Sequence, residues 1–241
     1  MFSRIHFHSL LLVVVLSLSF PGAEAVAQMR EAAARGTQGT HFVYLVRHGI
    51  YDRDSTVTND VLGNGLNALG HEQARLTGAR LASLPVPVSR IITSDYRRAR
   101  ETAADIGVAL GMPVTQDSLL RECTPTSDRP DFRRGLSDAE VFLCDSTLAT
   151  AYGKYMRPTP DADTRDVLVC HGNVIRRFLV RALGMDLASW THMDIGNCSI
   201  TVLAVRPDGG VRLVAYSDTG HLPAGKQTWS GRGAGWTSPK K

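Results

Sequence analysis

The chain has 241 residues, of which 43% are hydrophobic and 21% are charged, and its formal net charge is +4. This length is enough to bury a full hydrophobic core and too short for several domains, so we expect one globular unit. The basic residues are scattered and form no stripe with interleaved aromatic residues, which argues against nucleic-acid binding.

The amino-terminal residues differ from the rest of the chain. Arg4 precedes an apolar run at residues 9–20, and a Pro-Gly break and small residues follow the run. This pattern is typical of a secretory signal peptide, predicted here over residues 1–27. The run is too short to cross a bilayer comfortably. We therefore expect an exported protein, periplasmic or secreted, with no stable membrane insertion after cleavage; the alternative is an uncleaved amino-terminal membrane anchor.

The rest of the chain divides into three predicted parts. Residues 28–40 are predicted to form a linker, and residues 41–223 the folded domain. Residues 224–241 have little hydrophobic content apart from Trp229 and Trp236, so we expect a flexible tail.

The cysteines predict neither a metal site nor a required set of disulfides. Four are present, at Cys123, Cys144, Cys170 and Cys198, and neither a CxxC motif nor zinc-ligand spacing occurs. Cys170 closes an apolar run and is predicted to be a core thiol. An oxidising compartment permits disulfides, and Cys123 with Cys144 is the pair to test as a bridge.

Strand-like runs and helical patterns alternate along the domain. The patterns predict strands at residues 42–46, 89–94 and 166–170, and helices at residues 67–83, 96–110, 137–156 and 173–184. Two late strands, at residues 199–205 and 211–216, flank a turn and are typical of a hairpin. This order predicts a single-domain α/β fold, with a mostly parallel sheet and helices on both faces.

Two histidine-glycine pairs follow predicted buried strands. His48 ends the first strand, after Arg47, and His171 lies between a later strand and a helix. Open α/β sheets bind ligands at the carboxyl ends of their strands, so the two imidazoles can converge on one crevice. The helix start suits a phosphate group, and Arg47 adds a bidentate donor for phosphate oxygens.

The helix predicted to begin near Tyr96 offers a second arginine. With Ala99 at the centre of the apolar stripe, Arg97 lies roughly opposite the stripe and Arg98 flanks it. We expect Arg98 to face the crevice and Arg97 to face water. Arg100, at the other edge of the stripe, is the weaker alternative.

Four sequence blocks resemble the histidine phosphatase superfamily, the group that includes phosphoglycerate mutases. In chain order they are LVRHG, TSDYRRARETA, LLRE and VCHGNVIRRFL. A single RHG motif is weak evidence, but four blocks at compatible spacing are strong. The resemblance covers roughly residues 42–223, implies a phosphoglycerate mutase-like fold, and is greatest for the branch that contains a mitochondrial protein serine/threonine phosphatase.

The resemblance implies a role for each matching residue. His48 would be the nucleophile that carries the phosphoryl group as phosphohistidine. Arg47, Arg98 and His171 would bind phosphate oxygens, with His171 also counted as catalytic. Glu122, on a loop predicted at residues 121–135, would be the proton donor. The implied function is phosphomonoester hydrolysis without a metal or other cofactor, on a phosphorylated small molecule or a phosphoprotein, with protein phosphoserine and phosphothreonine as one candidate class.

Two alternatives stay open at this point. The chain resembles mutases as well as phosphatases, and a non-catalytic phosphate-binding or interaction module would keep the same pocket. The retained histidines, arginines and Glu122 argue against the non-catalytic module. The residues after RHG depart from the common family pattern, and an exported mutase would lack cytosolic phosphoglycerate, so hydrolysis is preferred. Asp128, on the same loop as Glu122, is the next candidate for the acid.

Overall fold

The computed structural model describes residues 39–229 of the chain. The predicted signal peptide and nearly all of the predicted linker lie outside the described residues, as does the predicted tail beyond residue 229. Within residues 39–229, no helix combines the length and the apolar character that a membrane crossing requires.

Six strands and four α-helices make up the described domain. The strands are β1 (His41–Arg47), β2 (Arg90–Thr93), β3 (Val114–Gln116), β4 (Thr164–Cys170), β5 (Ile200–Val205) and β6 (Val211–Asp218). The helices are α1 (Ala68–Ala82), α2 (Arg97–Leu110), α3 (Asp138–Tyr155) and α4 (Gly172–Ala182). The sequence patterns predicted each of these elements except β3, a three-residue strand that is too short to show a period.

The strands form one sheet in the order β3-β2-β4-β1-β5-β6. β2 pairs in parallel with both β3 and β4, and β4 pairs in parallel with β1. The late hairpin adds β5, which is antiparallel to β1 and to β6. The predicted mostly parallel sheet is therefore confirmed, and its two central strands are the ones that end in the histidine-glycine pairs.

Helices cover both faces of the sheet, as predicted. Neighbouring residues of β1 point to opposite faces, and Leu45 packs in one core cluster with Phe178 of α4 and with residues of α3. Val46 packs in a second cluster with Ile106 of α2 and with Leu81 of α1. These side chains are almost fully buried. Burying each of the larger ones contributes roughly 1.5 to 3 kcal/mol to folding.

Local signals in the sequence fix the helix ends. The Asn67 side chain accepts a hydrogen bond from the Gly70 backbone N–H and caps α1, as expected of an N-cap asparagine. Ser137 and Glu140 form a capping box at the start of α3. Gly111 ends α2 with a φ of 64°, in the left-handed region that glycine tolerates best.

The predicted flexible tail begins with residues that contact the domain. The Gln73 side chain donates a hydrogen bond to the Lys226 carbonyl, and the Asn197 backbone N–H donates one to the Thr228 carbonyl. Gln73 and Asn197 are both fully buried, so their polar groups need partners. Residues 224–229 supply those partners through backbone carbonyls and through the Thr228 hydroxyl, which a reading of side-chain hydrophobicity does not detect.

A pair of glycine substitutions tests the close packing of α1 against the segment after β1. At Gly70 an added Cβ would lie 2.1 Å from the Ile50 carbonyl oxygen, whereas Gly153 on α3 has open space around it. We expect Gly70→Ala to lower the free energy of unfolding by about 1 to 3 kcal/mol, as overpacking does. Gly153→Ala should raise it by about 0.5 to 1 kcal/mol, because alanine is the better helix former. Urea denaturation measures both, and equal effects would contradict the packing.

Candidate active site

The two histidine-glycine pairs lie side by side at the carboxyl ends of β1 and β4. The strand register places Arg47 opposite Cys170, so the next residue of each strand, His48 and His171, leaves the sheet at the same level. The ring centroids of His48 and His171 are 5.2 Å apart. Both side chains are buried, with 3% and 0% of their surface exposed. The structure thus brings together the two imidazoles that the sequence placed on one crevice.

The surroundings of His48 fix which of its ring nitrogens carries the proton. Its Nδ1 lies 2.9 Å from the Gly49 carbonyl oxygen, and a carbonyl can only accept a hydrogen bond. Nδ1 therefore carries the proton, and Nε2 keeps its lone pair. Burial holds the pKa of His48 well below its ordinary value, and the charges of Arg47 and Arg98 lower it further. His48 is therefore a neutral imidazole at pH 7, the form that acts as a nucleophile.

His171 has a similar environment. Its Nε2 lies 2.9 Å from the Ser94 hydroxyl, and its ring meets the Tyr96 ring edge-on at 5.2 Å. Burial again lowers its pKa well below the ordinary value, with His48 and the nearby arginines adding to the effect. His171 is therefore uncharged in this site and offers hydrogen bonds rather than a fixed positive charge.

Arg47 is buried beside the two histidines. Its Nη1 donates a hydrogen bond of 2.6 Å to the Ile195 carbonyl, which fixes the direction of the side chain. Burial lowers the pKa of Arg47 to about 10. This pKa still leaves the guanidinium charged at neutral pH.

Arg98 is the arginine of α2 that faces the site. Only 5% of its surface is exposed, and its guanidinium lies 5.1 Å from the centres of the Tyr51 and Tyr96 rings. Arg97 points away, with 47% of its side chain exposed and a salt bridge to Glu101. The expectation from helical geometry, that Arg98 faces the crevice and Arg97 faces water, therefore agrees with the structure.

The segment between β1 and α1 contributes to the site in a way that the sequence did not indicate. Asp60 in this segment forms an ion pair with Arg98, and the Tyr51 ring lies under the Arg98 guanidinium and meets the His48 ring edge-on. The segment has neither helical nor strand periodicity, so it carries no pattern from which these contacts follow. Its position directly after the RHG motif is the one available signal.

Glu122 lies on the loop that reaches the site from the side of α4. The Asn173 backbone N–H donates a hydrogen bond of 3.1 Å to its carboxylate. Burial raises the pKa of Glu122, although the charges of Arg176, Arg98 and Arg47 act in the opposite direction. A carboxyl group with a raised pKa, close to three arginines, is suited to proton transfer at a bound anion.

Arg176 is a further charged residue of the site, and sequence reasoning missed it. Its guanidinium donates hydrogen bonds to the Asn173 side chain at 2.6 Å and to the Met193 carbonyl at 3.0 Å. It also lies over the Trp190 ring at 4.8 Å. The amphipathic pattern of α4 assigns its arginines to solvent, and that assignment fails for Arg176 because the Trp190 ring and the Met193 carbonyl lie against its guanidinium.

Asp128, the alternative acid, lies in a different environment. Its carboxylate accepts hydrogen bonds from His192 and Thr191 at 2.7 and 3.0 Å. The His192 hydrogen bond is the main reason why the pKa of Asp128 lies below its ordinary value. A carboxyl group that is readily ionised and turned toward His192 is not suited to donate a proton at His48.

Cys123 and Cys144 form a disulfide, with their Cα atoms 5.7 Å apart. The bridge joins the residue that follows Glu122 to the middle of α3. Cys170 and Cys198 are free thiols and both are buried, which agrees with the core position predicted for Cys170. The open question about the Cys123 and Cys144 pair is thus answered by the structure.

Comparison with known proteins identifies the family. The family described as the histidine phosphatase superfamily (branch 1) matches residues 43–126 and 155–219, which include every predicted site residue. The chain belongs to the histidine phosphatase superfamily. This membership confirms the predicted family and the predicted phosphatase function, so the substrate of this histidine phosphatase carries a phosphoryl group.

Individual relatives agree with this membership. The mitochondrial serine/threonine-protein phosphatases PGAM5 of Xenopus tropicalis and Homo sapiens are both 34% identical to this histidine phosphatase, over 193 and 198 residues. The matches cover 78% and 80% of this chain and 68% of each relative. A solved phosphoglycerate mutase from Plasmodium falciparum is 30% identical, with a TM-score of 0.54, and the match covers 77% of this chain and 95% of that one. The predicted phosphoglycerate mutase-like fold is confirmed.

The predicted location of this histidine phosphatase is wrong. The signal peptide and the periplasmic or secreted location were expected from residues 1–27, but the relatives are named as mitochondrial proteins. A basic residue followed by a short apolar run indicates affinity for a membrane and does not specify which membrane. One argument against a mutase assumed that the protein is exported, and this correction removes that argument.

The electrostatics of the site predict how His48 of this phosphatase titrates. Because the charge of Arg98 lowers the pKa of His48, Arg98→Met should raise that pKa toward its ordinary value of about 6.5. Arg97→Met removes the same charge from the exposed face of α2 and is the matched control, with no shift expected. NMR titration of the His48 imidazole signals measures the pKa in each variant, and an unchanged value in Arg98→Met would show that the Arg98 charge does not act on His48.

Proposed function

We propose that the protein hydrolyses phosphomonoesters in two steps, with Nε2 of His48 as the nucleophile and phosphohistidine as the intermediate. The observation that carries the proposal is the state of His48: a buried, neutral imidazole whose Nδ1 proton is held by the Gly49 carbonyl. A nucleophile in this form splits one difficult displacement into two easier ones.

The surrounding residues are proposed to bind the phosphoryl group. Nε of Arg98 and Nδ1 of His171 are buried and have no hydrogen-bond partner within residues 39–229. A buried donor without a partner costs free energy, and phosphate oxygens would accept from both groups. Arg47 is proposed to act with them, and α4 begins at the residue after His171, with the positive end of its dipole toward the site. These fixed charges and dipoles would stabilise the transition state without a metal.

Glu122 is proposed to transfer protons in both steps. In the first step the bond from phosphorus to the ester oxygen breaks as Nε2 of His48 attacks, and protonated Glu122 gives its proton to the departing oxygen. In the second step the Glu122 carboxylate takes a proton from water while the water oxygen attacks phosphorus, which breaks the phosphorus-nitrogen bond. The raised pKa of Glu122 supports this double role, because it brings the two protonation states closer in free energy at neutral pH.

A groove beside Glu122 supports a large substrate. Its volume is about 550 Å³, and Glu122, Tyr96 and Arg121 line it together with apolar residues that include Leu136 and Leu143. The group on the leaving oxygen would extend into this groove, which is larger than a three-carbon phosphoester needs. Together with the names of the PGAM5 relatives, the groove supports phosphoserine or phosphothreonine in a protein segment as the substrate. A phosphorylated small molecule is the alternative.

The nucleophile is tested by trapping the intermediate. With a nitrophenyl phosphate, the wild-type protein should form an acid-labile phosphoenzyme that decays to inorganic phosphate, and His48→Gln should form none. His71→Gln, at a histidine that is paired with Asp105 and 37% exposed, is the control and should behave as the wild type. Labelling of folded His48→Gln would overturn the assignment. Transfer of the label to phosphoglycerate rather than to water would identify a mutase, and binding without labelling a non-catalytic module.

The acid is tested by changing the leaving group. Glu122→Gln should slow phosphoryl transfer from a phosphoserine peptide by about 100-fold to 10,000-fold, because an alkoxide needs a proton to depart. A nitrophenyl phosphate, whose leaving oxygen carries negative charge well, should lose far less. Single-turnover rates isolate this step from phosphohistidine hydrolysis. Asp128→Asn, on the same loop, should leave both rates unchanged, and equal losses for both substrates in Glu122→Gln would show that Glu122 is not the acid.

A further inference from the structure

The disulfide between Cys123 and Cys144 is attached to the residue next to Glu122 in the chain. We propose that this disulfide is a positioning group for the reaction: it holds the backbone at Glu122 so that the carboxyl group can reach the leaving oxygen. The inference rests on the role of Glu122 in the proposed function.

The loop that carries Glu122 depends on side chains for its shape. Residues 121–129 contain neither helix nor strand, so no ladder of backbone hydrogen bonds fixes them. Cys144, in contrast, is 4% exposed and lies in the middle of an 18-residue helix. α3 is itself fixed to the core by Leu148 and Tyr155, which are almost fully buried. The disulfide therefore connects a loop without regular structure to a helix whose inner face is buried in the core.

A second contact holds the same two residues from α4. The Asn173 backbone N–H donates a hydrogen bond to the Glu122 carboxylate, and the Asn173 side chain donates one of 2.8 Å to the Cys123 carbonyl. Glu122 and Cys123 are thus attached to α4 by hydrogen bonds and to α3 by a covalent bond. Attachments from two different helices restrict rotation of this short segment more than one attachment does, because the segment cannot turn about a single point.

The loop keeps other attachments when the disulfide is absent. Thr126 donates hydrogen bonds to the Asp145 carboxylate, and its carbonyl accepts one from the Trp190 ring N–H. These contacts should keep the loop folded, but they lie four residues beyond Glu122. Of the intervening residues, Cys123 and Thr124 each have two rotatable backbone bonds, and Pro125 has one because its ring fixes φ. Loss of the disulfide should therefore change the position of Glu122 more than it changes the fold.

The size of the expected effect follows from the geometry of proton transfer. A catalytic group must lie within hydrogen-bond reach of the proton that it transfers, and a misplacement of about 1 Å can cost about 100-fold in rate. We therefore expect loss of the disulfide to slow single-turnover phosphoryl transfer from a phosphoserine peptide by about 10-fold to 100-fold. Transfer from a nitrophenyl phosphate should change little. A purely structural disulfide would slow both substrates together.

The experiment compares the oxidised protein, the protein reduced with dithiothreitol, and the variant Cys123→Ala/Cys144→Ala. Dithiothreitol converts the sulfur-sulfur bond into two thiols and is itself oxidised to a cyclic disulfide. Reduced protein and variant should show the same loss for the phosphoserine peptide, and dithiothreitol should not slow the variant further. Circular dichroism and the midpoint of urea unfolding report whether each form is folded. A folded form without the disulfide that keeps the full phosphoserine rate would overturn the proposal.

A second comparison measures the effect of reducing the disulfide in the Glu122→Gln variant. If the disulfide acts through Glu122, its reduction should have no further effect on phosphoserine transfer in Glu122→Gln, so the two losses are not additive. Equal losses on reduction in Glu122→Gln and in the wild type would show that the disulfide acts elsewhere and would overturn the inference alone. If Glu122→Gln in the oxidised protein shows no dependence on the leaving group, the assigned role of Glu122 fails first, and the inference fails with it.

Discussion

The parallel pairing of β1 with β4 is the constraint on which the site depends. The register that sets Arg47 beside Cys170 brings His48 and His171 to the same edge of the sheet, with their rings 5.2 Å apart. Both strands are central, so helices cover them on both faces and exclude water from the imidazoles. That burial keeps both rings neutral, the state in which His48 is proposed to act as the nucleophile and His171 as a hydrogen-bonding partner.

A concentration of positive charge next to neutral imidazoles is the second property of the site. Arg47, Arg98 and Arg176 all act on the same region, and few carboxylates oppose them there, chiefly Asp60 and Glu122. Like charges in a buried site repel each other, so a doubly charged anion bound between them lowers the free energy of the folded protein. The same charges that would attract a phosphate group also add to burial in disfavouring a second proton on His48, so they would serve both the proposed phosphate binding and the proposed nucleophile.

Much of the fold and part of the site were predictable because they follow from periodic patterns. Hydrophobic runs predicted the strands that end at His48 and His171, and helical geometry distinguished Arg98 from Arg97. Contacts between distant segments have no such pattern. Asp60 lies in an aperiodic segment, and Arg176 lies on the polar side of α4. Residues 224–229 are held by hydrogen bonds of their backbone and of the Thr228 hydroxyl. The pairing of Cys123 with Cys144 likewise needed the distance between the loop and α3. The prediction of the location was wrong for another reason, because an apolar run does not show which membrane it is directed to.

The loop that carries Glu122 lies outside the sheet. The residues at the strand ends and the shape of the groove beside them can therefore change independently. His48, Arg47 and His171 follow or end strands whose register involves the whole core, so insertions or deletions there would disturb folding. Residues 121–136 contribute no strand to the sheet, and both ends of this loop, residues 121–124 and Leu136, line the groove beside the site. Beyond Glu122 and Cys123, insertions, deletions and new side chains in this loop can therefore accumulate without moving His48, Arg47 or His171, and they would change the shape and chemistry of the groove while the strands keep the histidines in place.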